Sequence, residues 1–276
     1  MKFKIYKEYG ALNSVPVFAA FEQGIKNLGF STTETDQDVS VIWSVLFHGK
    51  MAANRPIYDM CMRQQKPVII IEVGNLFRGK TWRVSTNHIN RLGFFGNSEN
   101  LDLARPEKLG IKLRPVQERR RPEILIACQH EYSLQWQGQP RMAEWAKQQI
   151  QEIRKFSSRK IVVRPHPRSP FTLNMPDIEM SIPKKVPGTY DDFDFNHNYH
   201  CVINHNSGPG VSSAINGIPV ITDSSSLAWP VSSSFENIEN ISLPDRDKWF
   251  LNLTHTEWTL DEMAQGIPLQ RLLTKL

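Results

Sequence analysis

The sequence predicts an α/β protein made of two doubly wound halves, on three observations. Strands and helices alternate through each half of the chain. The strands at Val39–Leu46 and Val68–Val73 are continuous apolar runs rather than alternating ones. A stretch rich in proline and arginine, ARPEKLGIKLRPVQERRRP at 104–122, separates the two series. Continuous apolar strands are buried on both faces, and alternation with helices is how a parallel sheet is wound. The expected domains are 1–113, a linker at 114–122, and 123–276, with the last residues packing back on the first domain.

The elements follow in order. Phe3–Tyr6 is a short strand. Helical spacing puts Phe18, Phe21, Ile25 and Leu28 on one side of a helix over Pro16–Leu28, and Gly29 ends it. Val39–Leu46 is a strand that runs out into Phe47-His48-Gly49. Ile57–Gln64 is a helix, and Lys66-Pro67 leads into the strand Val68–Val73. The segment GNLFRGKTWRVSTNHINRLGFFGNS at 74–98 reads as a long loop, a kind of segment that commonly carries function. Past the linker come a strand at Glu123–Cys128, a helix at Met142–Phe156 and a strand at Ile161–Val163. A strand at Ile178–Ser181 and a short acidic segment at Tyr190–Phe195 follow. Val202 and Ile203 then end an apolar run; after a glycine-bearing turn, Ser212–Asn216 is a short helix and Ile218–Thr222 the next strand. The tail holds helical pieces at Asp247–Leu253 and Leu260–Gln265.

Composition narrows the class. The chain has 276 residues, 40% hydrophobic and 22% charged, which is a soluble globular profile. The opening MKFKIYKEYG lacks the apolar core of a signal peptide, and no apolar run approaches a membrane span. The expected location is the cytoplasm, the host's if the chain is phage-encoded. Cys61, Cys128 and Cys201 are scattered and odd in number, which argues against a disulfide framework and for small buried apolar residues. A net charge of +5 permits a polyanionic partner without requiring one.

Two strand ends carry the chemistry. Arg164-Pro165-His166-Pro167-Arg168 follows one buried strand; its prolines fix the backbone around His166, and its arginines add positive charge. Such a histidine can stabilise a leaving phosphate. Asn204, His205, Asn206 and Ser207 leave another strand, followed by Gly208 and Gly210, which let a ligand approach the backbone. A helix that starts beside such a turn offers free amides and a positive dipole end to a phosphate. An ordinary tight turn and a solvent-facing His-Arg turn are the alternatives. Asp192-Phe193-Asp194 and the group His197, His200 and His205 are read as a helix start and as structural histidines, so no metal site is assigned.

An HP pair after a strand, followed by N-S-G/T-x-G-x-x-x-x-x-x-G-x-P-V, resembles the C-terminal half of GT-B glycosyltransferases. The second piece here is Asn206-Ser207-Gly208-Pro209-Gly210 through Gly217-Ile218-Pro219-Val220. The flavour is that of capsule-polysaccharide-type and small phage-type transferases. The resemblance covers the C-terminal half by motif and the N-terminal half by strand–helix order. It implies two Rossmann-like domains facing across a cleft, the second binding the nucleotide sugar. It implies that Arg164, His166, Arg168, Asn206, Ser207, Gly208 and Gly210 meet the donor phosphates. The family commonly has Glu two residues after the second glycine; this chain has Ser212, so Ser212, Asp223 or Ser224–Ser226 is left to meet the ribose. It also implies a UDP-sugar as donor and no bound metal or other cofactor.

Transfer to a hydroxyl needs a base. An inverting GT-B enzyme draws it from the N-terminal half, where Glu72 and His48 each follow a strand; Asp36, in a polar loop, is less suited. Arg78, Lys80, Trp82 and Arg83 interleave charge with aromatics, which suits a nucleic-acid backbone and an extruded base, and Arg114 and Arg119–Arg121 would extend that surface. The expected activity is therefore sugar transfer to a hydroxymethylated pyrimidine in DNA, with His166 and the Gly208–Gly210 amides assisting displacement at the anomeric carbon. The alternatives are transfer to a capsule-type glycan, nucleotide-sugar epimerisation, and nucleic-acid binding without turnover.

Overall fold

A computed structural model describes residues 1–11, 13–99, 101–183 and 198–276. The segment Tyr190–Phe195 with its Asp192-Phe193-Asp194 motif, and His197, lie outside the described residues. The chain divides into two units. One holds Met1–Leu109, Tyr132–Leu134 and Leu251–Leu276; the other holds Gly110–Glu131 and Gln135–Phe250.

The first unit begins with β1 (Lys2–Ile5), α1 (Ser14–Asn27), β2 (Ser31–Thr32) and β3 (Val39–Trp43), then α2 (Asn54–Arg63), β4 (Val68–Val73), β5 (Trp82–Thr86) and α3 (Arg105–Lys108). Helix α1 turns Val17, Phe18, Phe21 and Ile25 inward, at helical spacing. All five residues of β3 are buried, as a central strand covered on both faces requires. That strand stops at Trp43, short of the expected Leu46, because Ser44 takes a left-handed backbone with φ 62°. The expected loop at 74–98 is a correction: it contains β5, antiparallel to β4, and Trp82 and Arg83 are buried in it.

The second unit holds β6 (Ile124–Ala127), α4 (Met142–Arg154), β7 (Ile161–Arg164), β8 (Ile178–Met180), β9 (Cys201–Asn204), α5 (Gly208–Ile215) and β10 (Val220–Thr222). Its sheet is parallel throughout, in the order β10-β9-β6-β7-β8. The first strand lies in the middle and the winding reverses between β6 and β9, the doubly wound pattern. Helix α5 starts at Gly208, earlier than the expected Ser212, so both glycines belong to its first turn. Residues after Gly110 run along this unit: the Arg114 amide donates to the Ile215 carbonyl at 2.9 Å and the Gln117 amide to that of Gly217 at 2.9 Å. The Arg120 guanidinium donates to the carbonyls of His200 and Ile241, so it braces the unit instead of extending a basic surface. His200 likewise donates its ring N–H to the Ile238 carbonyl at 2.6 Å. Cys61, Cys128 and Cys201 are free and buried.

The tail forms α6 (Asp247–Thr254), β11 (Glu257–Trp258), α7 (Leu260–Ala264) and α8 (Ile267–Leu272). Strand β11 completes the first unit's sheet, ordered β11-β5-β4-β3-β1-β2, in which β2, β1, β3 and β4 are parallel and the other two join antiparallel. Glu257 carries the cost of burial on this edge: its carboxylate is fully buried and accepts from the amides of Asn75 and Leu76, at 2.6 and 3.0 Å. It also accepts from the Thr81 hydroxyl at 2.9 Å and from Arg83 at 3.4 Å. A buried charge so surrounded fixes the turn before β5, and stripping it of a partner costs about 3–5 kcal/mol. Among the described residues no helix is long and apolar enough to cross a membrane.

Candidate functional site

Parallel strands present all their carboxyl ends along one edge, and ligands of such sheets gather outside that edge where the winding reverses. In the second unit that edge is built from four strand exits: Gln129-His130 after β6, Arg164–Arg168 after β7, Asn204–Gly210 after β9, and Asp223–Ser226 after β10.

The β7 exit is a turn braced by its own histidine. The Arg168 amide donates to His166 Nδ1 at 3.1 Å and the Ser169 amide to the His166 carbonyl at 3.0 Å. With Nδ1 accepting, the neutral ring carries its proton on Nε2, the form that can donate to a phosphate oxygen. The His166 ring meets that of the buried His130 edge-on, with centroids 5.1 Å apart.

The β9 exit is locked to its neighbours on both sides. Asn204 donates from Nδ2 to the Ala127 carbonyl at 2.8 Å and to the Ser207 hydroxyl at 2.9 Å, and its Oδ1 accepts from the Ser207 amide at 3.0 Å. The Asn206 amide donates to Gln129 Oε1 at 3.2 Å, and its Nδ2 donates to the Ser225 hydroxyl at 2.8 Å. Ser225 in turn donates to Asp223 Oδ1 from its hydroxyl, at 2.5 Å, and from its amide, at 2.8 Å. Burial works against the Asp223 charge, but the Ser225 hydroxyl and amide, with His205 and the Ser224 amide, hold its pKa below the usual carboxylate value.

Helix α5 leaves this exit with extended Ser207 as its N-cap residue and no side chain capping its first amides. Pro209 has no N–H and the Gly210 amide donates to the Ser207 carbonyl at 3.3 Å, so the Gly208 amide, with the dipole end behind it, is the group here that suits an anion. Gly210 allows the helix to sit this close: a Cβ there would lie 3.0 Å from Asn204 Oδ1 and 3.2 Å from Thr222 Cγ2. Around the same strand ends Asn206 Oδ1, His205 Nδ1 and Thr222 Oγ1 are buried with no partner among the described residues. Orphaned buried polar atoms are uncommon in folded chains; the His205 ring packs against the core residues Trp136 and Trp145, with centroids 5.0 and 6.3 Å away, so its orphaned atom belongs to the core beneath the edge. Cys128 adjoins the edge, but burial pushes its thiol well up, so it is no nucleophile there.

The structure thus brings Arg164, His166, Arg168, Asn206, Ser207, Gly208, Gly210, Asp223 and Ser224 to one edge of one sheet. Ser212 lies a full turn into α5, away from its first amides. Gln129 and His130 were not among the expected residues, whereas Ser225 belongs to the expected Ser224–Ser226 strand end. Gln129 and His130 carry the same signal as Asn204–Ser207, polar side chains directly after an apolar run.

In the first unit Glu72 and Ser44 sit at the carboxyl ends of neighbouring strands. The Ser44 hydroxyl donates to Glu72 Oε2 at 2.5 Å, and Oε1 accepts from the Val73 amide at 2.9 Å. His48 is exposed and its ring stacks on Tyr132, with centroids 5.2 Å apart. Arg78 and Lys80 are exposed, and Lys80 Nζ lies 4.2 Å from the Phe77 ring centre. Trp82 and Arg83 do not share that surface, being buried in β5.

No protein-family model matches the chain, and no curated protein matches it in sequence. In structure it is similar to a Thermosulfurimonas dismutans chain described as KpsC, beta Kdo 2,4 transferase, with a TM-score of 0.51 and 10% identity over 96% of this chain and 98% of that one. At this identity the likeness is one of fold. A second chain from that organism, described as KpsC, beta Kdo 2,7 transferase, aligns over 98% of this chain and 100% of that one, with a TM-score of 0.46 and 13% identity. At that score the alignment adds nothing to the likeness of fold.

Proposed function

We propose that the protein is a GT-B-type glycosyltransferase that moves a sugar from a nucleotide-sugar donor to a hydroxyl of a glycan. One observation carries the reading: the braced His166, the uncapped start of α5 and the Asn206–Ser225–Asp223 chain share one strand edge with orphaned polar atoms. The Gly208 amide at the start of α5 and Arg164 would hold the donor phosphate, and His166 Nε2–H would donate to it as charge develops. Asp223, kept ionised, is suited to accept from the ribose hydroxyls, in place of the glutamate that Ser212 replaces. The acceptor oxygen attacks the anomeric carbon, the bond to the phosphate oxygen breaks, and the nucleotide leaves with the electron pair. The acceptor proton passes to Glu72 or His48. A UDP-sugar is the first donor to try, and no bound metal is required by this scheme.

Two considerations favour a glycan acceptor over DNA. A protein similar to this one in fold is described as a Kdo transferase, and the sequence motifs resemble capsule-polysaccharide-type enzymes. Burial of Trp82 and Arg83 also removes half of the residues chosen for a nucleic-acid surface. The test is a donor–acceptor screen read by mass: several nucleotide sugars, each offered with oligosaccharides and, separately, with hydroxymethylated DNA. A sugar-sized gain on an oligosaccharide supports the reading. A gain on DNA alone reverses the acceptor, and neither transfer nor donor hydrolysis with any pair rejects the enzyme.

A further inference from the structure

The first unit holds a cavity of about 420 Å³ that the proposed transfer chemistry does not use; Arg105, Lys108, His255, Trp258, Glu262 and Arg271 line it. That volume lies in the range of roughly 300–1,000 Å³ typical of small-molecule sites.

Its charges pair off unevenly. Arg105 is spent on its neighbours: it grips the Glu262 carboxylate with both terminal nitrogens and donates to the carbonyls of Thr254 and Glu257, at 2.6 and 2.7 Å. Lys108 is ion-paired with Asp102 at 2.7 Å. His255 adds no charge in its neutral form, since Nε2 accepts from the Asp102 amide and Nδ1 donates to the Leu251 carbonyl. Arg271 alone has no carboxylate within 4.0 Å among the described residues. Its Nη2 donates to the Asn97 carbonyl at 2.7 Å, and its Nε is buried without a partner among the described residues. Gly96, with φ +101°, lets the backbone lie against this side chain, where a Cβ would come within 2.9 Å of Nε. The guanidinium is therefore fixed in the cavity wall, 5.8 Å from the Trp258 ring centre, with no carboxylate beside it and Nη1 without a protein partner among the described residues. Burial, and then the nearby Arg105, lower its pKa, as expected of a cation that lacks a counter-charge.

A half-buried cation without a counter-charge is costly, and the planar guanidinium fork matches carboxylate and phosphate oxygens. We propose that this cavity binds a small organic anion, a carboxylate or a phosphate monoester, whose charged head is held by Arg271. The amides of Gln265 and Gln270, also in the lining, would take the ligand's polar groups.

The full chain, isotopically labelled on nitrogen, tests this by titration with inorganic phosphate and, separately, with acetate and citrate at constant ionic strength. The expected result is a saturable shift of the Arg271 Nε–H and Trp258 indole N–H signals. That shift is abolished in Arg271→Gln and retained in His166→Ala. The phosphate and carboxylate arms identify which anion is preferred. Because the first readout is on the unaltered protein, it stands even if Arg271→Gln fails to fold. Unmoved Arg271 and Trp258 signals up to tens of millimolar anion overturn the proposal, as does a shift confined to the Gly208 and Gly210 amides.

Discussion

The backbone amide of Asn206, just past β9, donates to the side-chain oxygen of Gln129, just past β6, at 3.2 Å. This bond crosses the seam where the winding of the second sheet reverses, and both residues are buried. Gln129→Leu leaves a buried N–H without its acceptor and is expected to cost about 1–3 kcal/mol of stability. Urea unfolding followed by tryptophan fluorescence measures it, with the slope unchanged and the midpoint lowered. An unaltered midpoint would mean that the seam does not depend on this bond.

Gly210→Ala should be felt more at the ligand site than in the core. Its methyl group would press on Asn204 Oδ1, and Asn204 cannot yield without giving up its bonds to Ala127 and Ser207. Overpacking of this kind costs about 1–3 kcal/mol, and it tilts the first turn of α5. The expected outcome is a folded protein with weakened nucleotide affinity, measured by calorimetric titration beside a thermal melt. Unchanged affinity would remove the start of α5 from the phosphate site.

Ser44 holds a left-handed backbone and gives its hydroxyl to Glu72. If Glu72 is the acceptor's base, Glu72→Gln slows transfer by about 10²–10⁴-fold with donor affinity intact. Ser44→Gly suits the backbone but loses a hydroxyl that also accepts from the Leu46 amide at 3.0 Å, so it should slow turnover with a small loss of stability. If His48→Gln slows transfer to that extent instead, the base is His48.

Three histidines predict how stability depends on pH. Burial lowers the pKa of His88, His200 and His255 from the ordinary 6.5; for His200 the bond to Ile238 opposes this without reversing it. The folded chain then binds fewer protons than the unfolded chain as the pH falls through 6.5. Their contribution is whole above that value and is lost as the pH drops toward their folded pKa values. Asp223 and Glu262, also lowered, act in the same direction at more acid pH. Melting temperature should be flat above about pH 7 and decline below it, less steeply in His200→Gln. A melting temperature that rises on mild acidification would contradict this.

The strand–helix alternation and the polar strand ends were legible because they are local. Asn204–Ser207 and the HP turn announce themselves by polar residues after apolar runs, and Gln129-His130 carries the same signal in a shorter form. Strand β5 was hidden because Arg83 looks like a loop residue until Glu257, far along the chain, is seen to accept from it. The two-residue β11 has no period of its own and exists only as a partner for β5. The two glycines were read as a turn before the helix because composition does not say where the first helical bond closes. Strand order, and with it the seam between β6 and β9, is a long-range property that no local pattern carries.

The central claim is that a nucleotide sugar binds with its phosphate between His166 and the start of α5. Titrating the labelled full chain with a panel of nucleotide sugars, and following backbone amide signals, tests it most directly. The predicted result is a saturable shift of the Ser207–Gly210 amides, except the proline, and of Asn206, with the affinity sharply reduced in His166→Ala. If no nucleotide sugar moves those amides, or if His166→Ala binds the donor as tightly as the unaltered chain, the account is contradicted.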